Sequence, residues 1–272
     1  MSRKKITHPK KTTNAPKQMP KMTNDALHER FVIGRHPVES ALEMHRDANK
    51  LFIQEDSRGA VIERIIAYAK EANVPYTFVP KMKLDQMAAG QNHQGVLLMS
   101  SAVKYASLND LFQVAQSRQE DPFFILLDGI EDPHNLGSIL RTADAAGAHG
   151  VIILKHRAVG LTATVAKTAA GSLERVKVAR VTNMVDTIEE LKQRGLWIFG
   201  SDMDGVDYRQ WQATGPIGVV IGNEGKGLSK RVSEHVDEKV CLPMIGGTES
   251  LNASVAASLL IYEVFRTRHP LT

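Results

Sequence analysis

The segment LPMIGGTESLNASVAASLLIYE, residues 242–263, decides the fold of this 272-residue chain. It continues a short apolar run that predicts a strand at residues 240–242, and a Gly-Gly pair leads from there into a polar cluster. The helix that follows carries almost nothing larger than Ala, Ser and Val in its first turns, whereas ordinary amphipathic helices bury Leu, Ile or Met. Such a slim helix lets a ligand or another backbone approach closely. The alternative is a tightly packed helix with a Ser or Asn cap.

Four further segments combine apolar runs with polar or glycine-rich turns. They are FVIGRHPVESAL (31–42), NHQGV (92–96), LLDGIEDPHNLGSILRTADAAGAHG (126–150) and VVIGNEGKGLS (219–229). With residues 242–263, and in this order, they resemble the SpoU family of the SPOUT class of RNA methyltransferases, and within it the group that methylates the ribose 2′-oxygen of a guanosine in 23S ribosomal RNA. The resemblance covers nearly everything after about residue 31. Each segment alone is weakly specific, whereas the ordered set is strongly specific.

The resemblance implies an α/β fold. The C-terminal domain is expected to hold a parallel sheet whose last segment threads a loop to form a trefoil knot, which pattern reading cannot show because protein chains are normally unknotted. The N-terminal domain is expected to be a small ribosomal-protein-like α/β module that binds RNA. The resemblance also implies S-adenosylmethionine as the cofactor, RNA (ribosomal RNA above all) as the partner, and a homodimer.

Charge is distributed unevenly along the chain. Residues 1–24 hold seven Lys and Arg and no acidic residue, which leaves 27 basic and 30 acidic side chains in residues 25–272. Residues 1–28 are therefore predicted to be a disordered basic tail, and contact between this tail and RNA phosphates is expected. The alternative is a solubility tail with no role in binding.

Cysteine content and hydropathy limit the class of protein. The one cysteine, Cys241, excludes an internal disulfide and a multi-Cys zinc site, and no cluster of metal ligands is present, so no metal is expected. No apolar run approaches the roughly 20 residues of a membrane helix. Without an apolar signal-peptide core either, a cytoplasmic protein with no membrane partner is expected.

Residues 29–103 alternate short apolar runs with helical patterns and are predicted to form the small substrate-binding domain. Strands are predicted at residues 31–33, 51–53, 76–79 and 96–99, and helices at 36–44, 60–72 and 81–88. The resemblance implies RNA contacts from Arg35, His36, Asn92, His93 and Gln94. For His36 and His93, a loop or capping role is an equal alternative. Residues 104–121 are predicted to be a linker with one short helix.

Residues 122–272 again alternate apolar runs with helical patterns, in a longer series, and are predicted to form the catalytic domain. Strands are predicted at 123–127, 151–154, 196–199, 217–221 and 240–242, and helices near 136–146, 162–169, 184–193, 229–236 and 253–266. Nearly continuous apolar strands that alternate with helices indicate a parallel sheet covered on both faces.

A glycine-rich loop at residues 222–227 is the candidate cofactor site. Its glycine spacing fits neither the dinucleotide-binding fingerprint nor the phosphate-binding loop of nucleotide triphosphatases. A loop with three glycines can instead wrap a compact ligand with backbone amides and carbonyls. By the resemblance, that ligand is S-adenosylmethionine and its contacts are Gly222, Asn223, Leu242, Met244 and Leu251. Plain core packing is the alternative for Leu242 and Leu251.

The resemblance implies five catalytic residues, namely Asn135, Arg141, Glu224, Ser250 and Asn252. Helix capping is the alternative for Asn135, Ser250 and Asn252, and a solvated helix face is the alternative for Arg141. Because an unperturbed guanidinium is a poor base, Arg141 is expected to orient the ribose hydroxyl and to stabilise developing negative charge. Glu224 is expected to orient Arg141 or to serve as the proton acceptor.

Three alternatives to ribosomal RNA methylation remain from the sequence. They are the same chemistry on transfer RNA, a non-catalytic RNA-binding or ribosome-assembly protein, and a DNA-binding module, the last of which lacks any recognition helix. The sequence leaves open the modified nucleotide, the assembly state of the substrate and which subunit of a dimer supplies each catalytic group.

Overall fold

The computed structural model describes residues 31–248 and 250–271, so the predicted basic tail lies outside the described residues. Two separate sheets organise this part of the chain. The first sheet has the order β1-β4-β2-β3. Its strands are β1 (Phe31–Ile33), β2 (Ala48–Gln54), β3 (Tyr76–Val79) and β4 (Val96–Ser100), and its helices are α1 (Arg35–Glu43), α2 (Ala60–Glu71) and α3 (Lys81–Met87).

The first sheet is mixed and carries helices on both faces. Strand β4 pairs antiparallel with both of its neighbours, and β2 pairs parallel with β3. Helices α1 and α2 bury Leu42 and Ile65 against Leu51 on one face, while α3 buries Leu84 against the other. This confirms the small N-terminal α/β domain as a fold.

The second sheet has six strands in the order β10-β8-β9-β5-β6-β7, and every pair is parallel. The strands are β5 (Phe123–Asp128), β6 (Gly150–Leu154), β7 (Val178–Val181), β8 (Trp197–Asp207), β9 (Ile217–Gly222) and β10 (Glu238–Cys241). The helices are α4 (Leu108–Arg118), α5 (Pro133–Ala145), α6 (Ala163–Ala169), α7 (Met184–Gln193), α8 (Lys230–Ser233) and α9 (Ala253–Arg268), with 3-10 turns at Ser172–Glu174 and Tyr208–Gln210.

Helices cover both faces of the parallel sheet, as predicted. Residues of β5 alternate between the two cores: Ile125 packs with α5 and α9 on one face, and Phe124 packs with α4 and α7 on the other. Because both faces are buried, all six residues of β5 are buried. The short helix of the predicted linker, α4, buries Leu111 and Ala115 on the second face. The exact domain boundaries stay a prediction.

Three of the differences between the predicted and the observed elements have a clear local reason. Strand β7 was missed because Arg180 interrupts its apolar pattern, and this arginine is used in a contact between the two sheets. Helix α5 begins at Pro133 because the Asp132 side chain accepts from the His134 N–H and caps it. Strand β8 continues to Asp207 through a polar stretch that pairs with β10 across a shift in register.

A polar contact joins the two sheets through Asn49, Tyr105, Leu161 and Arg180. The Tyr105 hydroxyl donates to Asn49 Oδ1 at 2.6 Å and accepts from the Leu161 N–H at 2.9 Å. Arg180 donates to the Ala48 carbonyl at 2.8 Å, with its guanidinium 4.2 Å from the Tyr105 ring centre. These hydrogen bonds hold the first sheet against the carboxyl ends of β6 and β7.

Within the described part of the chain, no helix has both the length and the apolar character needed to cross a membrane.

Candidate active site

A cavity of about 380 Å³ lies beyond the carboxyl end of β9, between the polar continuation of β8 and the start of α9. Parallel sheets commonly place ligand sites at this edge. All five predicted cofactor contacts line the cavity, together with the predicted catalytic residues Glu224 and Ser250. These residues are Gly222, Asn223, Glu224, Leu242, Met244, Ser250 and Leu251. Residues up to 29 positions apart in sequence thus line one cavity.

The glycine-rich loop closes on itself at the mouth of the cavity. Asn223 N donates to Gly227 O at 2.9 Å, and Gly227 N donates to Asn223 O at 2.8 Å. A Cβ on Gly222 would lie only 2.2 Å from the Gly227 carbonyl carbon, so this close approach requires glycine. The Asn223 side chain donates to the Gly129 carbonyl at 2.8 Å and ties the loop to the turn after β5.

The cavity also contains residues that the sequence analysis missed, chiefly Ser201, Asp202 and Met203. Asp202 pairs with Lys239 at 2.9 Å. Burial acts to raise the pKa of the Asp202 carboxyl, but hydrogen bonds from Lys239 and the Asp204 N–H outweigh it and hold the pKa below its usual range. The predicted strand ended at residue 199, whereas β8 continues to Asp207, so this wall of the cavity was missed.

Asn135, Glu224 and Asn252 form a closed hydrogen-bonded triangle. Asn135 Nδ2 donates to Glu224 Oε1 at 2.6 Å, and Asn252 Nδ2 donates to the same oxygen at 2.5 Å and to Asn135 Oδ1 at 3.0 Å. The Ala253 N–H adds a third bond to Glu224 Oε1 at 3.3 Å. Among the described residues, nothing donates to Glu224 Oε2.

Asn252 also caps α9, so the capping alternative and a site role hold together. Its Oδ1 accepts from the Ser254 N–H at 3.0 Å and from the Val255 N–H at 3.4 Å. Asn135, by contrast, is buried inside α5 and caps nothing, because Asp132 performs that role. The capping alternative for Asn135 is therefore wrong.

Arg141 lies away from the cavity, which Glu224 and Ser250 line, and from the triangle of Asn135, Glu224 and Asn252. It is exposed on α5 and follows Asn135 by six residues, which places it roughly 9 Å further along the helix axis and on another face. No described residue forms a hydrogen bond or ion pair with its guanidinium. Beside it, Thr142 contacts Ser258 at 3.0 Å, so the outer faces of α5 and α9 form one surface.

An apolar stripe runs along this shared surface. Val255, Leu259 and Tyr262 of α9 are 47 %, 42 % and 47 % exposed. Phe265 is instead half-buried against the core, although its position near the helix end suggested an outward orientation. Ala253 and Ala256 of the same helix line the cavity, so stripe and cavity are adjacent.

A second cavity, of about 890 Å³, lies in the N-terminal domain and contains four of the five predicted RNA contacts. Arg35 donates from its backbone N–H to Gln94 Oε1 at 3.0 Å and from Nε to the Gln94 carbonyl at 2.9 Å. His93 is buried, and its ring contacts Asp85 at 2.9 Å and accepts from the Gly95 N–H at 2.9 Å. His93 therefore shapes the loop, as the alternative held, and His36 lies outside the cavity.

No three His, Cys, Asp or Glu side chains are grouped as metal ligands in residues 31–248 and 250–271.

Both halves of the described chain match known protein families. Residues 122–262 match the SpoU rRNA Methylase family, and residues 31–106 match the family of RNA 2′-O ribose methyltransferase substrate-binding domains. A protein of Bacillus subtilis (strain 168), provisionally described as a TrmH family tRNA/rRNA methyltransferase, is 49% identical over 242 residues, which cover 89% of this chain and 97% of the relative.

Two solved structures resemble the chain over most of its length. The SpoU methyltransferase AviRb from Streptomyces viridochromogenes, in complex with AdoMet, is 26% identical with a TM-score of 0.55, covering 88% of this chain and 89% of that one. An AdoMet-bound rRNA methyltransferase from Sinorhizobium meliloti is 25% identical with a TM-score of 0.54, covering 89% and 88%.

Proposed function

The chain belongs to the SpoU rRNA methylase family, and from this membership we propose that it methylates a ribose 2′-hydroxyl, at a guanosine of 23S ribosomal RNA. It is an RNA methyltransferase that uses S-adenosylmethionine. The observation that carries the proposal is the meeting of Asn135, Glu224 and Asn252 beside the glycine-loop cavity. The ribosomal substrate and the ribose position are the finer part of the proposal.

The cavity suits S-adenosylmethionine in size and chemistry. Its volume of about 380 Å³ lies in the range of small-molecule sites. Leu242 and Leu251 offer apolar surface, Gly222 offers backbone groups, and Asn223 and Met244 line the same cavity. When bound, the cofactor supplies an electrophilic methyl group on a sulfonium.

Glu224 and Arg141 have different roles at the ribose hydroxyl. The triangle fixes Glu224 Oε1, which leaves Oε2 to accept a hydrogen bond from the hydroxyl or to orient the Arg141 guanidinium. Arg141 stabilises the negative charge that develops on the attacking oxygen. Ser250, at the cavity wall, positions the substrate. Fixed donors and acceptors contribute through positioning, because they require no rearrangement during the reaction.

A two-fold dimer brings Arg141 to a cavity. Within one chain, Arg141 does not line the cavity, but it lies beside the exposed stripe of Val255, Leu259 and Tyr262. Soluble monomers seldom expose contiguous apolar surface of this kind. An interface through α5 and α9 buries the stripe and carries Arg141 of each subunit toward the cavity of the other.

The N-terminal cavity and the basic tail serve RNA binding in this proposal. Arg35, Asn92 and Gln94 face the cavity, and His93 holds their loop in place. His36, which is exposed outside it, extends the surface. The assignment of residues 29–103 to substrate binding, 104–121 to a linker and 122–272 to catalysis belongs to the same proposal, as does a cytoplasmic location beside the RNA.

The trefoil knot is also part of the proposal. Two close approaches support it: a Cβ on Gly205 would lie 2.5 Å from the Lys239 carbonyl carbon, and Gly222 meets Gly227 as closely. The slim start of α9 is also closely packed, since Ala253 and Ala257 are buried. Small residues at successive crossings permit a chain to thread past itself.

The direct test maps ribose methylation in ribosomal RNA from cells with and without the protein. Loss of one 2′-O-methyl mark on deletion, and its restoration in vitro by the purified protein with S-adenosylmethionine, is the expected result. A mark lost from transfer RNA would move the substrate to the alternative in the Bacillus relative's description. Restored ribosome assembly by an Arg141→Ala variant without any mark would support the assembly-factor alternative.

A further inference from the structure

Lys155 is an unpaired, half-buried cation at the carboxyl end of β6. Its backbone N–H is bonded to the Val181 carbonyl at 2.8 Å, which fixes its position beside β7. Among the residues the structure describes, none forms a hydrogen bond or ion pair with its ammonium. Ile153 is paired with Arg180 in the sheet. Because side chains alternate along a strand, Lys155 shares a face with Arg180.

Two cations therefore share one face, and among the described residues no carboxylate pairs with either of them. Burial lowers the pKa of the Lys155 ammonium below its usual range, and the charge of Arg180 lowers it further. Within residues 31–248 and 250–271, the partners of the Arg180 guanidinium are neutral groups, chiefly the carbonyls of Ala48 and Asn49. A half-buried charge without a partner is costly, so this arrangement favours the binding of an anion.

This pair lies at the carboxyl edge of the parallel sheet, beside the N-terminal domain and on the side of the glycine-rich loop. Arg180 contacts the N-terminal domain, while β6 lies two strands from β9, which is about 10 Å from the glycine loop at ordinary strand spacing. His156 and Arg157 follow Lys155 and are exposed. Arg157 is held at φ 57, and its carbonyl packs against Gly129 of the turn that contacts Asn223.

We propose that Lys155 and Arg157, supported by Arg180, form a phosphate-binding site for the substrate RNA where it passes between the substrate-binding and catalytic domains. The inference rests on the proposed function, since it assumes that RNA enters the cavity from the N-terminal domain. Phosphate contacts fix the register of a strand without reading its bases. The site would therefore set how far the target ribose lies from the nucleotides held by the N-terminal domain.

The test compares variants of the full-length protein on in vitro transcribed 23S ribosomal RNA across a series of salt concentrations. Lys155→Met retains the packing of the stem and removes the charge, and Lys155→Arg retains the charge. Lys177→Met is the matched control. Lys177 is an exposed lysine just before β7, so it lies at the amino ends of the strands, whereas Lys155 lies at the carboxyl ends.

For Lys155→Met we expect RNA affinity to fall several-fold at low salt. The slope of log affinity against log salt should become shallower by about 0.7, the value for one phosphate of a single strand. The dissociation constant for S-adenosylmethionine should not change, and the melting temperature should stay the same or rise, because Met removes the half-buried charge. Lys155→Arg and Lys177→Met should behave as wild type.

A Lys155→Met variant with the affinity and salt slope of wild type would overturn the inference, as would an equal loss in Lys177→Met. Failure of the proposed function is distinguishable, because it appears as RNA binding by the wild type without any ribose methylation. The salt slopes can be measured in either case.

Discussion

Asn252 holds Glu224 and the start of α9 with opposite ends of one amide. Its nitrogen donates to Glu224 Oε1 at 2.5 Å, and its oxygen accepts from the Ser254 N–H at 3.0 Å. The residue that begins the helix therefore also places the carboxylate of the candidate active site. These two roles can be separated, because only the first requires a donor.

Replacing Asn252 with Ser should separate the cap from the triangle. Serine caps helices about as well as asparagine, so the free energy of unfolding should change by no more than about 0.5 kcal/mol. The short hydroxyl reaches neither Asn135 nor Glu224, and the misplaced carboxylate should lower the rate of methylation by up to about 100-fold. Single-turnover methylation and thermal melting measure the two effects. A large fall in stability with an unchanged rate would assign Asn252 to capping alone.

Replacing Arg141 with Ala should lower the rate of methylation by roughly 100- to 1,000-fold, the usual cost of one donor to a developing oxyanion. Cofactor affinity should stay within a few-fold of wild type, because Arg141 does not line the cavity. Arg141→Lys should also fail, since an ammonium lacks the planar fork. Equilibrium binding of S-adenosylmethionine beside turnover gives the comparison, and parallel losses would assign Arg141 to folding or cofactor binding.

Mixed dimers should show which subunit supplies Arg141. A dimer of one Arg141→Ala chain and one Glu224→Ala chain has one intact site if Arg141 crosses the interface, and none if it acts within its own chain. Random mixing should therefore restore about a quarter of wild-type activity under two-fold symmetry. Continued inactivity of the mixture would place both groups in the same subunit.

Leu259→Glu should convert dimers to monomers with little activity. The side chain is 42 % exposed in the middle of the apolar stripe, where a charge in the interface would lack a partner. Met44→Glu is the matched control, because Met44 is 79 % exposed in the N-terminal domain and its replacement should leave the dimer intact. Sedimentation at micromolar concentration measures both. A wild-type protein that sediments as a 30.0 kDa species would contradict the dimer.

Gly222→Ala should weaken cofactor binding by at least tenfold. The added Cβ would lie 2.2 Å from the Gly227 carbonyl carbon, and moving that backbone costs about 1–3 kcal/mol. Gly225→Ala is the control within the same loop, because its Cβ would meet only Asn223 Oδ1, at 3.9 Å. Calorimetric titration with S-adenosylmethionine should separate the two variants. Equal affinities would show that the loop tolerates displacement.

Deleting residues 1–24 should weaken RNA binding and make its salt dependence shallower. The deletion removes seven positive charges and leaves a chain with more acidic than basic side chains. The rate of methylation at saturating RNA should remain that of wild type. An affinity at low salt equal to that of the full chain would exclude a role for the tail in RNA binding.

The sequence predicted the parts of this protein whose local chemistry is unambiguous. The strand Phe123–Asp128 was found because residues 123–127 are all apolar. The glycine-rich loop was found because glycines allow a ligand to approach the backbone closely. Strand Val178–Val181 was missed because Arg180 serves a contact between domains that no local pattern reveals.

The candidate site was predicted in residue type more fully than in arrangement. Motif order placed Asn135, Glu224 and Asn252 together, but their triangle depends on contacts across 28 to 117 positions. Two features could not be predicted. The position of Asp202 in the cavity wall depends on how β8 continues, and the distance of Arg141 from the cavity depends on which face of α5 turns outward.

In the proposed cofactor site, the mutual backbone bonds between Asn223 and Gly227 close the glycine-rich loop through contacts of its own. Association should then proceed in a single kinetic step, without a slow closing phase, and the observed rate should rise linearly with ligand concentration. Differences in affinity among relatives that share this loop should accordingly lie in how long the ligand resides.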